Sequence, residues 1–215
     1  VSRHFASAWD RGAFVECLDI PLNDIRYITA RFAAIRALTT PEDRAAAVLD
    51  TIVRRTDPGP GGFYDDFGAP TSWDRLENHD KYALDPGFFT TPLLSFLMPP
   101  PHDEDDTLNV PLAWRRNVYT FYQTPLRVHY DGLDPAAEYT IRTVYGKYHP
   151  VHITLRAGEH GAVAVHDEVF VNQPFVQQEC PLPKAAYADG RLTLVFTVRD
   201  GQRGPNVSEI RIRKR

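Results

Sequence analysis

From residue 116 to the C-terminus, apolar and polar positions alternate with a period of two. Leu126, Val128 and Tyr130 share one side of a segment whose other side is Arg127 and His129. Val151, Ile153 and Leu155 alternate with His152, Thr154 and Arg156, and Leu192, Leu194, Phe196 and Val198 with Thr193, Val195 and Thr197. Ser208, Ile210 and Ile212 alternate with Glu209, Arg211 and Arg213. This pattern predicts half-buried antiparallel strands. Further segments near 117–123, 139–146, 162–166 and 175–181 bring the expectation to about eight strands, the pattern of a sandwich or jelly roll. Asp131-Gly132, Ala157-Gly158, Asp189-Gly190 and Asp200-Gly201 mark the turns between them.

Upstream the period is helical. Ile25, Ile28, Phe32, Ile35 and Leu38 predict a helix over 24–38, with Asn23 or Asp24 as its N-cap. Thr40 is placed to cap a second helix, with Pro41 in the first helical position and Glu42 and Asp43 at the positive end of the dipole. That helix is expected to run to about Arg55 and to bury Ala46, Leu49, Ile52 and Val53, with Arg54 and Arg55 favouring its C-terminal end. Asp57-Pro58-Gly59-Pro60-Gly61-Gly62 then stops it. Residues 69–115 show little periodicity and, with the Pro/Gly run before them, read as an irregular wrap. The expected fold class is mainly β with a helical N-terminal part. A helical hairpin and an irregular segment (1–115) precede an antiparallel jelly-roll sandwich (116–215).

Composition sharpens this division. The 215 residues are 43% hydrophobic and 24% charged, which excludes a disordered, collagenous or coiled-coil chain. Residues 1–110 hold 10 Lys/Arg against 18 Asp/Glu, while 111–215 hold 14 against 10, so the halves differ in character. No basic stripe with interleaved aromatics points to nucleic acid. The basic run Arg211–Arg215 reads as the outward side of a last strand rather than a phosphate-binding tail. No apolar run reaches the ~18 residues of a membrane span. A chain that opens on Val1 is expected to be a processed form or a piece of a larger protein. Cys17 and Cys180 read as two free thiols rather than a bridge, and they lack metal-ligand spacing.

Two stretches resemble known sandwiches. Leu133-Asp134-Pro135-Ala136-Ala137-Glu138-Tyr139 resembles the Leu-x-Pro-x-x-x-Tyr turn of fibronectin type III and related domains, whose tyrosine packs under the preceding loop and bonds its backbone. Ala188–Phe196 followed by Gly204–Ile212 resembles the closing strands of galactose-binding-like domains, jelly-roll modules often found as carbohydrate-binding modules in secreted bacterial glycan-processing proteins. The resemblance covers roughly 116–215 and implies a sandwich fold, affinity for polysaccharide or oligosaccharide, neighbouring domains, and a secreted or periplasmic location. The family's sugar contacts lie in variable loops, so none carries over by motif.

The chemistry is sparse. The chain holds no Gly-x-Ser-x-Gly elbow, His-Glu-x-x-His helix or Cys-x-x-Cys pair. Asp65 and Asp66 could serve as acid/base groups or cation ligands, but neighbours on an extended segment point to opposite sides. His102-Asp103-Glu104-Asp105-Asp106 reads as a solvated acidic loop. His129, His149 and His152 could approach one another as a metal or proton-relay cluster. Asn206-Val207-Ser208 is a glycosylation sequon by pattern, without meaning in a bacterial chain. For sugar binding, Tyr64, Asp65, Asp66, Trp73, Arg75 and Tyr82 offer stacking rings with charged partners, although the same aromatics could equally plug onto the sandwich. No cofactor is expected beyond, at most, a structural calcium ion. The leading expectation is a non-catalytic carbohydrate-binding or accessory region. Its rivals are a polysaccharide lyase or glycoside hydrolase using Asp or His residues, and a structural or assembly module.

Overall fold

The computed structural model describes residues 32–49, 57–67, 70–96, 112–147 and 149–215. The chain divides into two compact units, Val1–Asp57 with Met98–Ala113, and Pro58–Leu97 with Trp114–Arg215. In the first unit, residues 32–37 and Pro41–Leu49 are helical. Thr40 caps the second helix as its position suggests, its Oγ1 accepting the Asp43 N–H at 3.0 Å. The expected burial fails there. Ala46 is exposed and Leu49 is 55% exposed, and the helix's run of alanines supplies little apolar area to bury. Ile52, Val53, Cys17, residues 24–31 and the 102–106 acidic run lie outside the described residues.

The second unit is an antiparallel sandwich. Its strands are β1 (Phe63–Asp66), β2 (Leu93–Phe96), β3 (Arg116–Tyr119), β4 (Leu126–Asp131), β5 (Tyr139–Gly146), β6 (Val151–Ala157), β7 (Val163–Val171), β8 (Phe175–Leu182), β9 (Arg191–Val198) and β10 (Asn206–Lys214). One sheet runs β2-β3-β10-β5-β8, with β1 also on β10, and the other runs β4-β9-β6-β7. The eight strands after residue 115 match the alternation. β1 and β2 come from the stretch whose sequence reads as irregular. β3 pairs with Asn206 and Val207 of β10, and β1 takes over beside Glu209–Ile212. Gly62 permits this approach, since a Cβ there would sit 2.6 Å from the Ile212 carbonyl oxygen.

Leu126, Val128, Tyr130, Ile141, Tyr145, Leu155, Leu194, Phe196, Ile210 and Ile212 belong to the core between the sheets. The Leu-x-Pro turn behaves as expected, with Tyr139 buried and its hydroxyl accepting the Asp134 N–H at 3.0 Å. Glycines 132, 158, 190 and 201 all take positive φ at the expected turns. One polar link crosses the core. The Tyr145 hydroxyl on β5 lies 2.5 Å from His166 Nε2 on β7, and His166 Nδ1 donates to the Asp167 carbonyl.

The last strand departs from simple alternation. A register shift between Val207 and Glu209 inserts Ser208 as a bulge, so Val207 joins Ile210 and Ile212 in the core while Ser208 and Glu209 both contact Trp114. The outer side of β10 is also not solvated as its charges suggest. Glu209 is 0% and Arg211 4% exposed, since β10 is flanked by strands on both sides, and Arg142, Tyr64 and Trp114 close over Glu209.

Candidate functional site

Five of the six residues singled out by sequence divide between two sides of the β1 strand, Asp65, Trp73 and Arg75 on one and Tyr64 and Asp66 on the other. Phe63 and Asp65 point inward and Tyr64 and Asp66 outward, as strand alternation requires. Inside, Asp65 Oδ1 accepts Arg75 Nε at 3.0 Å, and the Arg75 guanidinium lies over the rings of Tyr130 and Phe63, at 4.8 and 5.3 Å. Burial raises the Asp65 carboxyl above the usual carboxylate range, against the opposing pull of Arg75, Tyr130 and Ser72. Burial, reinforced by Asp65, likewise raises the Tyr130 phenol. Trp73 packs against the core, and its indole N–H donates to the Phe67 carbonyl at 2.9 Å. With Leu76 bridged to Val128 on β4, residues 63–76 stitch one sheet to the other. Asp65, Trp73 and Arg75 therefore serve as a structural plug. Tyr82 opens a 3-10 turn, Tyr82–Leu84.

Outside, Tyr64 and Asp66 belong to a polar network on the six-stranded sheet. Buried Glu209 accepts from Arg142 at 2.6 Å, from the Tyr64 hydroxyl at 3.1 Å and from the Trp114 indole at 3.3 Å. Arg116 pairs with Asp66. Both members of the Asp65-Asp66 pair are thus held by arginines and face opposite sides of a strand. That is not the arrangement of two carboxylates across an open groove that glycoside hydrolysis uses.

The exposed chemistry lies in two loops, one of them within the segment near 117–123 that the alternation reads as a strand but that leaves the sheet after Tyr119. Rings of Phe89, Tyr122, Phe121 and Tyr119 form a continuous path with centroid spacings of 5.7, 5.9 and 5.6 Å. Phe89 and Tyr122 are stacked with an interplanar angle of 21°, yet 57% and 60% of their surfaces remain exposed. Phe88 and Tyr122 hold φ of 54° and 56°. Bulky residues rarely adopt this left-handed region, which costs on the order of 1–3 kcal/mol each and persists only where surroundings impose it.

The surroundings do impose it. The Asp85 carboxylate accepts the N–H groups of Phe89, Thr90 and Thr91 at 2.9, 2.7 and 2.7 Å. Desolvation pushes the Asp85 carboxyl up, but the N–H groups of Thr90, Thr91 and Phe89 together outweigh it and hold the group well below the usual carboxylate range. Thr124 donates to the Phe89 carbonyl and Thr120 to the Thr124 carbonyl, tying the two loops together. Gly204 packs so closely that a Cβ would land on the Thr120 carbonyl. The signal for this platform was two aromatic doublets, Phe88-Phe89 between Gly87 and Thr90, and Phe121-Tyr122 between Thr120 and Gln123.

The histidines do not converge. His129 Nδ1 lies 3.0 Å from the Thr193 hydroxyl, whereas His152 stacks on Phe170 at 4.3 Å two strands away. Among the described residues, no three His, Cys, Asp or Glu side chains gather as a metal site. Cys180 is a free, half-buried thiol, raised by burial and by Glu179. Asn206 is 6% exposed, and its side-chain oxygen accepts from Asn117 at 3.1 Å. No helix among the described residues is long and apolar enough to cross a membrane.

No family model and no curated protein matches the chain. Among solved structures, the chain is similar to the ANX2 ectodomain from Arabidopsis thaliana, with a TM-score of 0.47 at 9% identity over 66% of this chain and 36% of that one. It is also similar to a family 35 carbohydrate binding module from Clostridium thermocellum, with 0.39 at 11% identity over 70% of this chain and 96% of that one. A third likeness is to a family GH115 4-O-methyl-alpha-glucuronidase, with 0.35 at 9% identity over 46% of this chain. The match spans 14% of that glucuronidase's length.

Proposed function

We propose that this chain is a non-catalytic carbohydrate-binding or accessory region of a larger, secreted bacterial glycan-active protein, and that the Phe89–Tyr122 platform is its sugar-binding surface. The observation that carries the reading is the strained, over-determined pair of loops. Two exposed rings are held open to water by backbone conformations that cost stability, a pattern expected where rigidity serves recognition. Pyranose rings present apolar C–H faces that pack on aromatic faces, and a platform fixed in advance loses little entropy on binding.

The test is affinity electrophoresis of the chain through gels containing a panel of soluble polysaccharides. Retardation is expected, and it disappears in Tyr122→Gly, which removes the ring and relieves the strained φ without touching the core. No retardation at millimolar ligand overturns the reading. A second reading, an assembly module, draws on the same exposed rings. Concentration-dependent self-association that Tyr122→Gly abolishes, without any glycan binding, would favour it.

A further inference from the structure

Another ring stands open to water on the outer side of the four-stranded sheet. Phe170, on the edge strand β7, is 47% exposed, while its neighbours Val169 and Val171 pack on the core. It lies directly opposite His152 on β6, and the two rings stack at 4.3 Å with an interplanar angle of 11°. The turn between β9 and β10 fixes the imidazole. Gln202 Oε1 accepts the His152 backbone N–H at 2.7 Å, and Gln202 Nε2 lies 3.1 Å from the ring Nδ1. A backbone N–H can only donate, so the amide orientation follows. Its NH2 donates to Nδ1, and the neutral ring carries its proton on Nε2, a donor set beside Phe170.

A charged fork sits next to the rings. Arg199 Nε donates to Glu168 Oε2 at 3.1 Å, and Arg199 Nη2 donates to Oε1, so the carboxylate is gripped at both oxygens. These bonds hold the Glu168 carboxyl below its ordinary range, and it stays an ionised acceptor. Each oxygen keeps a further lone pair for an incoming hydroxyl. Glu168 and Phe170 flank Val169 on one side of β7, about 7 Å apart along the strand. That separation matches the span of one pyranose ring. The fork carries one charge of each sign and therefore suits a neutral unit. A large ring on the open side of an edge strand also invites association, which a bound saccharide would cover.

One loop joins this group to the platform. The Gln202 N–H donates to the Arg199 carbonyl at 3.0 Å, closing a turn over His152. Two residues later Gly204 packs against Thr120, next to Phe121 of the platform. Gln202 and Gly204 are at most about 7 Å apart, so both sets of rings lie at the same end of the sandwich.

We propose that Phe170, His152, Glu168 and Arg199 form a second carbohydrate subsite, which takes a neutral sugar unit with two adjacent hydroxyls. Its C–H face packs on Phe170 and its hydroxyls meet the fork. The ligand is then an extended chain that reaches from the platform across the β9–β10 loop, rather than a terminal sugar. This assignment rests on the carbohydrate-binding reading, but it uses different residues.

The experiment measures binding of the chain to a neutral mannan, a neutral galactan and a xylan, and to oligosaccharides of increasing length cut from whichever polymer binds. The proteins are the wild type, Phe170→Leu, Phe170→Trp, Glu168→Gln and Tyr122→Gly, each with a thermal melt. Phe170→Leu keeps an apolar side chain but loses the stacking face. It should weaken polymer binding about fivefold to tenfold at an unchanged melting temperature, as should Glu168→Gln, while Phe170→Trp retains affinity. Wild-type affinity should climb with oligosaccharide length, and the climb should stop sooner in Phe170→Leu. Unchanged affinity in Phe170→Leu or Glu168→Gln overturns the subsite. So does a loss that Phe170→Trp shares or that tracks the melting temperature, which assigns the ring to packing. If Tyr122→Gly abolishes binding while the β7 variants have no effect, the platform stands and the subsite falls. The reverse result keeps the subsite and removes the platform, and no binding to any polymer removes both.

Discussion

Neutralising Glu209 should damage the sandwich more than any other single charge change on the outer side of the sheet. The carboxylate is 0% exposed and accepts from Arg142, Tyr64 and Trp114. Glu209→Gln keeps the volume and one acceptor oxygen but turns the other oxygen into a donor facing donors. Removing one partner of a buried ion pair costs about 3–5 kcal/mol, because the remaining charge stays desolvated. Arg142 keeps 20% of its side chain in water, which places the expected loss near the lower end, about 3 kcal/mol. In a chain of this size that lowers the melting temperature by roughly 6–12 °C. Urea titrations should show a lower midpoint at unchanged slope. A double-mutant cycle pairing Glu209→Leu with Arg142→Met should show a coupling of about 1.5 kcal/mol or more, since removing both leaves no orphan charge. A loss below about 1 kcal/mol in Glu209→Gln, or strict additivity in the cycle, would refute the argument that the pair is energetically coupled in a desolvated site.

Two buried groups should tilt the pH profile in opposite directions. The fold favours protonated Asp65, so its contribution is full below 3.8 and lost as pH rises through its raised folded value. Asp65→Asn should flatten that decline in urea-derived stability. His166 is pushed below 6.5 by burial, so the fold favours its neutral ring; this contribution is full above 6.5 and lost as pH falls through the folded value. His166→Gln should remove the acid-side decline, and an unchanged profile would contradict the assignment. Gly204→Ala should push the Thr120 backbone aside at a cost of about 1–3 kcal/mol and abolish glycan retardation while circular dichroism still reports a sheet.

What the sequence showed best was what local periodicity controls. Eight strands after residue 115 and their glycine turns follow from side chains alternating across a pleat and from the few residues that tolerate positive φ. β1 and β2 escaped because four residues such as Phe63-Tyr64-Asp65-Asp66 carry too short a pattern to register. Their pairing with β10 and β3 is a tertiary event. The bulge at Ser208 escaped because alternation assumes an unbroken ladder, which put Ser208 with Ile210 instead of with Glu209. The burial of Glu209 and Arg211 escaped for a related reason, since a period of two assigns a side of the sheet but not what covers it. Of the six proposed site residues, alternation correctly separated Asp65 from Asp66. The partners of both, Arg75 and Arg116, are contacts that no spacing rule encodes. The exposed platform joins loops more than thirty residues apart, and its two aromatic doublets gain meaning only once folding brings them together.

The sequon at Asn206 has a practical consequence for how the protein can be made. Oligosaccharyl transfer in a eukaryotic secretory pathway acts on the nascent chain, before β10 finds its partners. A glycan attached there could not enter a position that is 6% exposed and hydrogen-bonded to Asn117 between β3 and β5. Each modified chain would be barred from completing the six-stranded sheet. Secretion from yeast or animal cells should therefore divide the product into a folded, unglycosylated fraction and a glycosylated fraction retained by quality control. Ser208→Ala, which erases the acceptor signal while losing only the hydroxyl bond to the Trp114 carbonyl, should merge the two.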